Sequence, residues 1–154
     1  MRLYLVQHGE AKRKEEDSAR PLTDRGREEV ERVASYAAKI GVKVKRILHS
    51  GKLRAQQTAE IMAKHLKPPK GVEKTDGLEP LADPKAWAER LKKVEENLML
   101  VGHLPHLSRL TSLLLTDRED VELVAFRMGG IVCLERDEEG KWRVQWIIRP
   151  ETLP

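Results

Sequence analysis

Leu3-Tyr4-Leu5-Val6-Gln7-His8-Gly9-Glu10 is the stretch on which the reading of the whole chain turns. Four apolar or aromatic side chains in a row predict a buried strand, and the Gln-His-Gly that follows predicts a sharp turn at its carboxyl end. In open α/β sheets ligands bind at that end, and the glycine beside His8 lets the backbone turn and come close to a substrate. A histidine so placed can serve as nucleophile, base or metal ligand. Taken alone it reads better as an ordinary loop residue.

Working outward, residues 11 to 21 are charged and aperiodic, a loop ending at Arg20-Pro21. Thr23 or Asp24 caps a helix on which Val30, Val33, Ala34, Ala37 and Ile40 recur at helical spacing, with Gly41 placed to stop it. Val44 to Leu48 predicts a second strand that runs into His49-Ser50-Gly51. A helix follows, with Ala55, Ala59, Met62 and Leu66 on one face and Pro68-Pro69 beyond its end. Residues 67 to 83 read as a surface excursion with a short strand at Val72-Glu73-Lys74. Asp83-Pro84 opens a third helix that stacks Trp87, Leu91 and Val94. Leu98-Met99-Leu100-Val101 predicts an interior strand delivering Gly102-His103-Leu104-Pro105, and Pro105 starts a helix buried through Leu107, Leu110 and Leu114. The tail offers two or three strands, Val124 to Met128, Ile131 to Glu135 and Trp142 to Ile148, with a hairpin turn at Asp137-Glu138-Glu139-Gly140. Strands alternating with helices over 154 residues predict one α/β domain, residues 1–154, as a three-layer sandwich with a mostly parallel sheet between helices.

Composition narrows the function classes. Apolar residues make up 40% and charged residues 35% of the chain, ordinary to high for a globular protein, and no apolar run approaches a membrane span. The first strand is too short and too soon polar for a signal peptide, so a cytoplasmic location is expected. Cys133, the single cysteine, excludes an intrachain disulfide and reads as a buried strand thiol. The formal charge of +4 favours anionic partners. Nucleic acid is not among those expected: Lys12-Arg13-Lys14 runs straight into Glu15-Glu16-Asp17, and aromatic residues are too sparse for a stacking surface.

Two strands thus end alike, at Gln7-His8-Gly9 and Gly102-His103-Leu104. If both are central and parallel, their imidazoles meet above one edge of the sheet. Ser50 follows the second strand, and Arg54 falls about one turn into the next helix. A helix amino terminus, a guanidinium and two imidazoles converging describe a phosphate site, because free amides and the helix dipole favour an anion and Arg offers a planar fork.

These residues resemble the histidine phosphatase superfamily, the phosphoglycerate-mutase-like fold, and most closely its short bacterial phosphohistidine phosphatases. The likeness runs through Leu5-Val6-Gln7-His8-Gly9-Glu10-Ala11, Arg20-Pro21-Leu22-Thr23 with Gly26, Ser50, Leu53 to Thr58, Leu78-Glu79 and Gly102-His103-Leu104-Pro105. The resemblance implies that His8 attacks phosphorus in its neutral form and carries the phosphoryl group, while Arg54 and a cationic His103 hold the non-bridging oxygens. It further implies phosphate contacts from Gln7, Gly9, Ser50, Leu104 and Arg20, with no metal and no cofactor. Glu79 is the best match to the family's acid and Glu10 the second.

One position departs from the pattern: the residue before the nucleophile is normally arginine, and here it is Gln7. Exchanging a charged hydrogen bond for a neutral one loses roughly 1 to 2 kcal/mol, about tenfold in rate or affinity. Arg20 or the Lys12-Arg13-Lys14 cluster can restore positive potential. The implied activity is removal of phosphate from protein phosphohistidine, whose imidazole leaves easily once protonated. Alternatives are a phosphomonoesterase for a small phosphorylated metabolite, or a weakly active or silent phosphate-binding module. The remaining histidines read as structural or peripheral: His49 at the pocket rim, His65 near a helix carboxyl end, and His106 at a helix start with no further ligands in metal spacing.

Overall fold

The computed structural model describes all 154 residues. Six strands form one sheet: β1 (Arg2–Gln7), β2 (Arg46–His49), β3 (Val72–Lys74), β4 (Leu98–Gly102), β5 (Ile131–Arg136) and β6 (Trp142–Ile148), in the order β3-β2-β4-β1-β5-β6. The first four of that order run parallel, and β5 and β6 are antiparallel to their neighbours. Helices α1 (Asp24–Lys39) and α2 (Leu53–Leu66) cover one face, while α3 (Pro84–Leu91) and α4 (His106–Thr116) cover the other. This is the expected three-layer α/β sandwich.

Burial on both faces explains the unbroken apolar runs. Tyr4 and Val6 point into the core under α1 and α2, whereas Leu3 and Leu5 point into the core under α3 and α4. Met99 and Val101 alternate with Leu98 and Leu100 in the same way on β4. The cap of α1 resolves in favour of Thr23, whose hydroxyl accepts from the Gly26 amide, and Asp83 caps α3 as expected. No helix is long and apolar enough to cross a membrane.

Two expectations change. The second strand begins two residues later than the apolar pattern suggests, at Arg46. The segment Val124 to Met128 is not a strand. Both edges of β5 are already taken, by β1 and β6, so the segment has no ladder to join there. Its carbonyls are met by guanidinium groups instead, Arg149 donating to Ala125 and Arg127 to Met128.

The topology places the site. β1 and β4 are adjacent and parallel, and Gln7 stands level with Gly102. Yet the helix after β1 packs on one face and the helix after β4 on the other. Chain leaving neighbouring strands to opposite sides opens a crevice at their carboxyl ends, which is where α/β sheets bind ligands. His8 and His103 are the first residues past those two ends.

Candidate active site

His8 and His103 face each other across this crevice, their ring centroids 5.1 Å apart and their planes inclined by 49°. The amide of His8 still donates to Gly102, 3.1 Å, so the β1–β4 ladder fixes the relative height of the two rings. The Nδ1–H of His8 donates to the carbonyl of Gly9, 2.7 Å, which leaves Nε2 as the ring's free lone pair. Burial, with Arg54 and Arg20 close by, lowers the pKa of His8 to about 4, so the ring is neutral at pH 7.

His103 is set the other way round. Its Nε2 lies 2.6 Å from the Ser50 hydroxyl, and that hydroxyl already accepts from the Lys52 amide at 3.3 Å. If the hydroxyl gives its proton to Nε2, the ring's own proton sits on Nδ1, a buried atom with no partner in the chain. One imidazole offers a lone pair and the other a proton. Burial first, then the nearby His8, Arg54 and Lys52, push the pKa of His103 down to about 3, so the protein's own groups hold the ring neutral, and the cationic form expected beside a phosphate depends on the anion itself. A neutral Nδ1–H can still donate to an anion, and an arriving dianion works against the neighbouring cations that keep the ring neutral.

Arg54 enters from the first turn of α2, with its Nε buried and unpartnered. Burial and the neighbouring Arg20 lower its pKa from the ordinary guanidinium value. Arg20 holds a left-handed backbone, φ 52°, and its Nε donates to the carbonyl of Lys12 at 3.0 Å. Its charge reaches both His8 and Arg54, which the Lys12-Arg13-Lys14 run does not. Arg13 of that run is spent on Glu16, 3.0 Å away. The side-chain oxygen of Gln7 is buried without a partner, an acceptor among donors.

The structure places the other expected residues less uniformly. The backbone amide of Leu104 has no partner in the chain and stays free beside His103. The amide of Gly9 is not free, because it donates to Thr58 Oγ1 at 3.0 Å. Ser50 is occupied in orienting His103. Glu79 accepts from the Gly77 amide at 3.1 Å and makes no hydrogen bond to either imidazole of the pair. Glu10 accepts from the Thr23 hydroxyl at 2.7 Å and belongs to the α1 cap. His49 is buried rather than on the rim, its Nδ1 accepting from the Gly51 amide. His65 pairs with Glu31 at 2.6 Å. His106 is fully buried, and neither ring nitrogen has a partner.

Gly9 earns its place by close packing rather than by an unusual backbone angle. A Cβ there would lie 2.7 Å from Val30 Cγ2, and one at Gly26 would lie 2.1 Å from the carbonyl oxygen of Glu10. Two glycines thus let the first turn of α1 press directly against the loop that carries His8. No group of three or more His, Cys, Asp or Glu side chains is placed to hold a metal ion.

The model of the histidine phosphatase superfamily (branch 1) matches residues 3–81, which include His8, Arg54 and Glu79. The chain belongs to the histidine phosphatase superfamily. An uncharacterized protein of Picosynechococcus sp. is 40% identical over 138 residues, 84% of this chain and 76% of its own. The phosphohistidine phosphatase SixA of Escherichia coli K12 is 27% identical over 158 residues, 99% of this chain and 96% of its own. A structure of the protein histidine phosphatase SixA complexed with tungstate superposes with a TM-score of 0.89 and 27% identity, covering 100% of both chains. The chain is therefore similar to the short bacterial phosphohistidine phosphatases.

Two residues that fix the crevice carried no role in the sequence reading, Gln57 and Thr58. Thr58 ties the backbone after His8 to α2 while donating to the Arg54 carbonyl at 2.8 Å, and Gln57 Oε1 accepts from the Leu22 amide at 2.8 Å. The signal was present as Arg54, Gln57 and Thr58 at i, i+3 and i+4, a polar edge beside the apolar Ala55-Ala59-Met62 face.

Proposed function

We propose that this protein removes phosphate from phosphohistidine on a protein substrate, through a phosphoryl group carried on Nε2 of His8. The observation that carries the reading is the facing pair, His8 with Nδ1 tied to the Gly9 carbonyl and Nε2 left free, opposite His103 with Nε2 on Ser50 and Nδ1 buried and unpartnered, beside Arg54. The likeness to a protein histidine phosphatase solved with tungstate, a tetrahedral oxyanion, supports it.

In the first step the Nε2 lone pair of His8 forms a bond to phosphorus as the P–N bond to the substrate breaks. The substrate's phosphoimidazole, protonated on its distal nitrogen, leaves as neutral imidazole. Arg54, Arg20 and the Nδ1–H of His103 take the charge spread over the non-bridging oxygens, the main service a protein gives phosphoryl transfer. In the second step water adds to phosphorus, the P–Nε2 bond breaks, and phosphate departs with the water's proton passing to solvent. The Gly9 carbonyl keeps a proton on Nδ1 throughout, so His8 also leaves as neutral imidazole. The protein supplies no general acid in this scheme, consistent with Glu79 being held by its own turn. An alkyl ester, whose alkoxide needs a proton, is the poorer substrate.

Two grooves, of about 710 and 380 Å³, are lined by none of His8, Arg54 or His103. The test compares a histidine-phosphorylated phosphotransfer protein with a panel of phosphate esters. The expected result is kcat/KM on phosphohistidine at least about 100-fold above any ester, a difference of roughly 3 kcal/mol. Preference for an ester contradicts the reading, and binding without turnover assigns the chain to the silent module instead.

A further inference from the structure

The crevice has a rim as well as a floor, and the rim carries charge that the chemistry just described does not use. Lys52 caps the amino end of α2 with no side-chain cap bond, is exposed, and lies close enough to lower the pKa of His103. Lys74 ends β3 in register with His49, and its exposed side chain runs across the turn at Gly51: a Cβ added there would lie 2.6 Å from Lys74 Cε. Gly51 has φ +92° and no side chain, so the lysine's methylenes lie flat on the backbone at the mouth. Neither lysine forms a salt bridge, and neither do Arg20 and Arg54 deeper in. The two carboxylates nearest the floor are spent, Glu10 on Thr23 and Glu79 on the Gly77 amide. Across the mouth, beside His103, stand the exposed Leu104 and Pro105, and Leu81 is 82% exposed on the loop whose Leu78 carbonyl abuts Gly102.

Such a mouth is cationic on one side and apolar on the other, and it is more charge than one phosphate needs. Two exposed ammonium groups add little to binding a dianion already facing Arg54 and Arg20, since surface charges are screened within about 8 Å at physiological salt. They suit a second, separate set of negative charges beyond the phosphate. Charge complementarity of this kind sets encounter and selectivity more than chemical rate.

We propose that Lys52 and Lys74 form a docking rim that selects phosphohistidine flanked by aspartate and glutamate on the surface of the protein substrate. This rests on the phosphohistidine reading above. An acidic protein surface is favoured over nucleic acid because the rim offers leucine and proline where a nucleic-acid groove would place stacking aromatics.

The test uses the full chain, its K52Q/K74Q and K74Q variants, and three substrates: free phosphoramidate, a phosphohistidine peptide flanked by Asp and Glu, and the same peptide flanked by Ser and Gly. For the unaltered protein at low salt the acidic peptide is expected to exceed the neutral one about tenfold in kcat/KM, through KM. That ratio is expected to fall to near one in K52Q/K74Q and at about 0.5 M salt, and to fall part-way in K74Q. The Lys74 charge is not among those acting on His103, so phosphoramidate turnover in K74Q should change less than about twofold. A ratio near one in the unaltered protein overturns the proposal, as does a ratio that persists in K52Q/K74Q. An equal loss on all three substrates also overturns it, because the lysines then serve the phosphate itself. Failure to hydrolyse either peptide, with esters turned over, is a different outcome: it removes the phosphohistidine reading and the docking rim together.

Discussion

The two ends of the sheet make opposite use of their charges. At the amino end of β1, a groove of about 710 Å³ runs between α3, α4 and the β5–β6 hairpin, and several of its charges are paired. Arg136 donates to the Leu91 carbonyl and lies 3.3 Å from Glu95, Lys92 lies 2.9 Å from Glu89, and Arg143 lies 3.7 Å from Asp137. At the carboxyl end the polar atoms stand unmatched: Gln7 Oε1, Arg54 Nε and His103 Nδ1 are all buried and unpartnered. Each such atom costs about 1 to 3 kcal/mol in a folded protein. The mark of the chemistry is polar groups held without partners, aimed at a ligand that supplies them.

The contrast breaks most readily at Arg54. Arg54→Ala removes the guanidinium whose Nε is buried and unpartnered at the crevice, and kcat/KM on phosphoramidate is expected to fall about 100- to 1,000-fold, with Arg54→Lys recovering charge but not the fork. A loss below about fivefold in steady-state kinetics would make the unpaired guanidinium incidental.

His106 sharpens the contrast, because it is equally buried and unpartnered yet sits behind the crevice. Burial lowers its pKa to about 4 against an ordinary value of 6.5. The unfolded chain takes up a proton below pH 6.5 and the folded chain does not until about pH 4, so this residue's share of stability is intact above 6.5 and lost as pH falls towards 4. The loss is on the order of 3 kcal/mol. His106→Leu is expected to remove that share: urea midpoints at pH 7 and pH 4.5 should differ less in the variant, with activity at pH 7 retained. An unchanged pH dependence would show that His106 finds a partner in solution.

Gln7→Arg restores a charge to a crevice where Arg20 already reaches His8 and Arg54. A gain in kcat/KM of no more than about tenfold is expected, shrinking towards none if Arg20 fully substitutes. Adding Arg20→Ala should restore the full benefit of the new arginine, which a double-mutant cycle measures. The smallest effect belongs to the matched end: Lys92→Gln in the large groove should leave activity within about twofold, since its partner is an exposed glutamate.

Much of this was legible in the sequence because it depended on pattern. The apolar runs at Leu3 to Val6 and Leu98 to Val101 gave two buried strands, and a histidine just past each gave the pair. Adjacency was not written there; it follows from β4 inserting between β1 and β2, a matter of sheet order. Charge state was equally hidden. His103 reads as a cation beside a phosphate, whereas desolvation and the protein's own neighbouring positive groups push its pKa the other way. Val124 to Met128 looked like a strand by composition and was denied one by the lack of an open edge. Gly9 was taken for a turn and proved to be a gap into which α1 fits. Thr58 escaped notice because its task, holding the amide next to His8, joins residues 49 positions apart.

The most direct test of the central claim is to trap the intermediate. The protein is incubated with radiolabelled phosphoramidate, quenched in alkali and mapped by mass spectrometry, alongside His8→Ala. The account predicts one acid-labile, alkali-stable phosphoryl group, on His8, absent from the variant together with at least about 10,000-fold of its turnover. Label on another residue, or turnover that survives in His8→Ala, would contradict it.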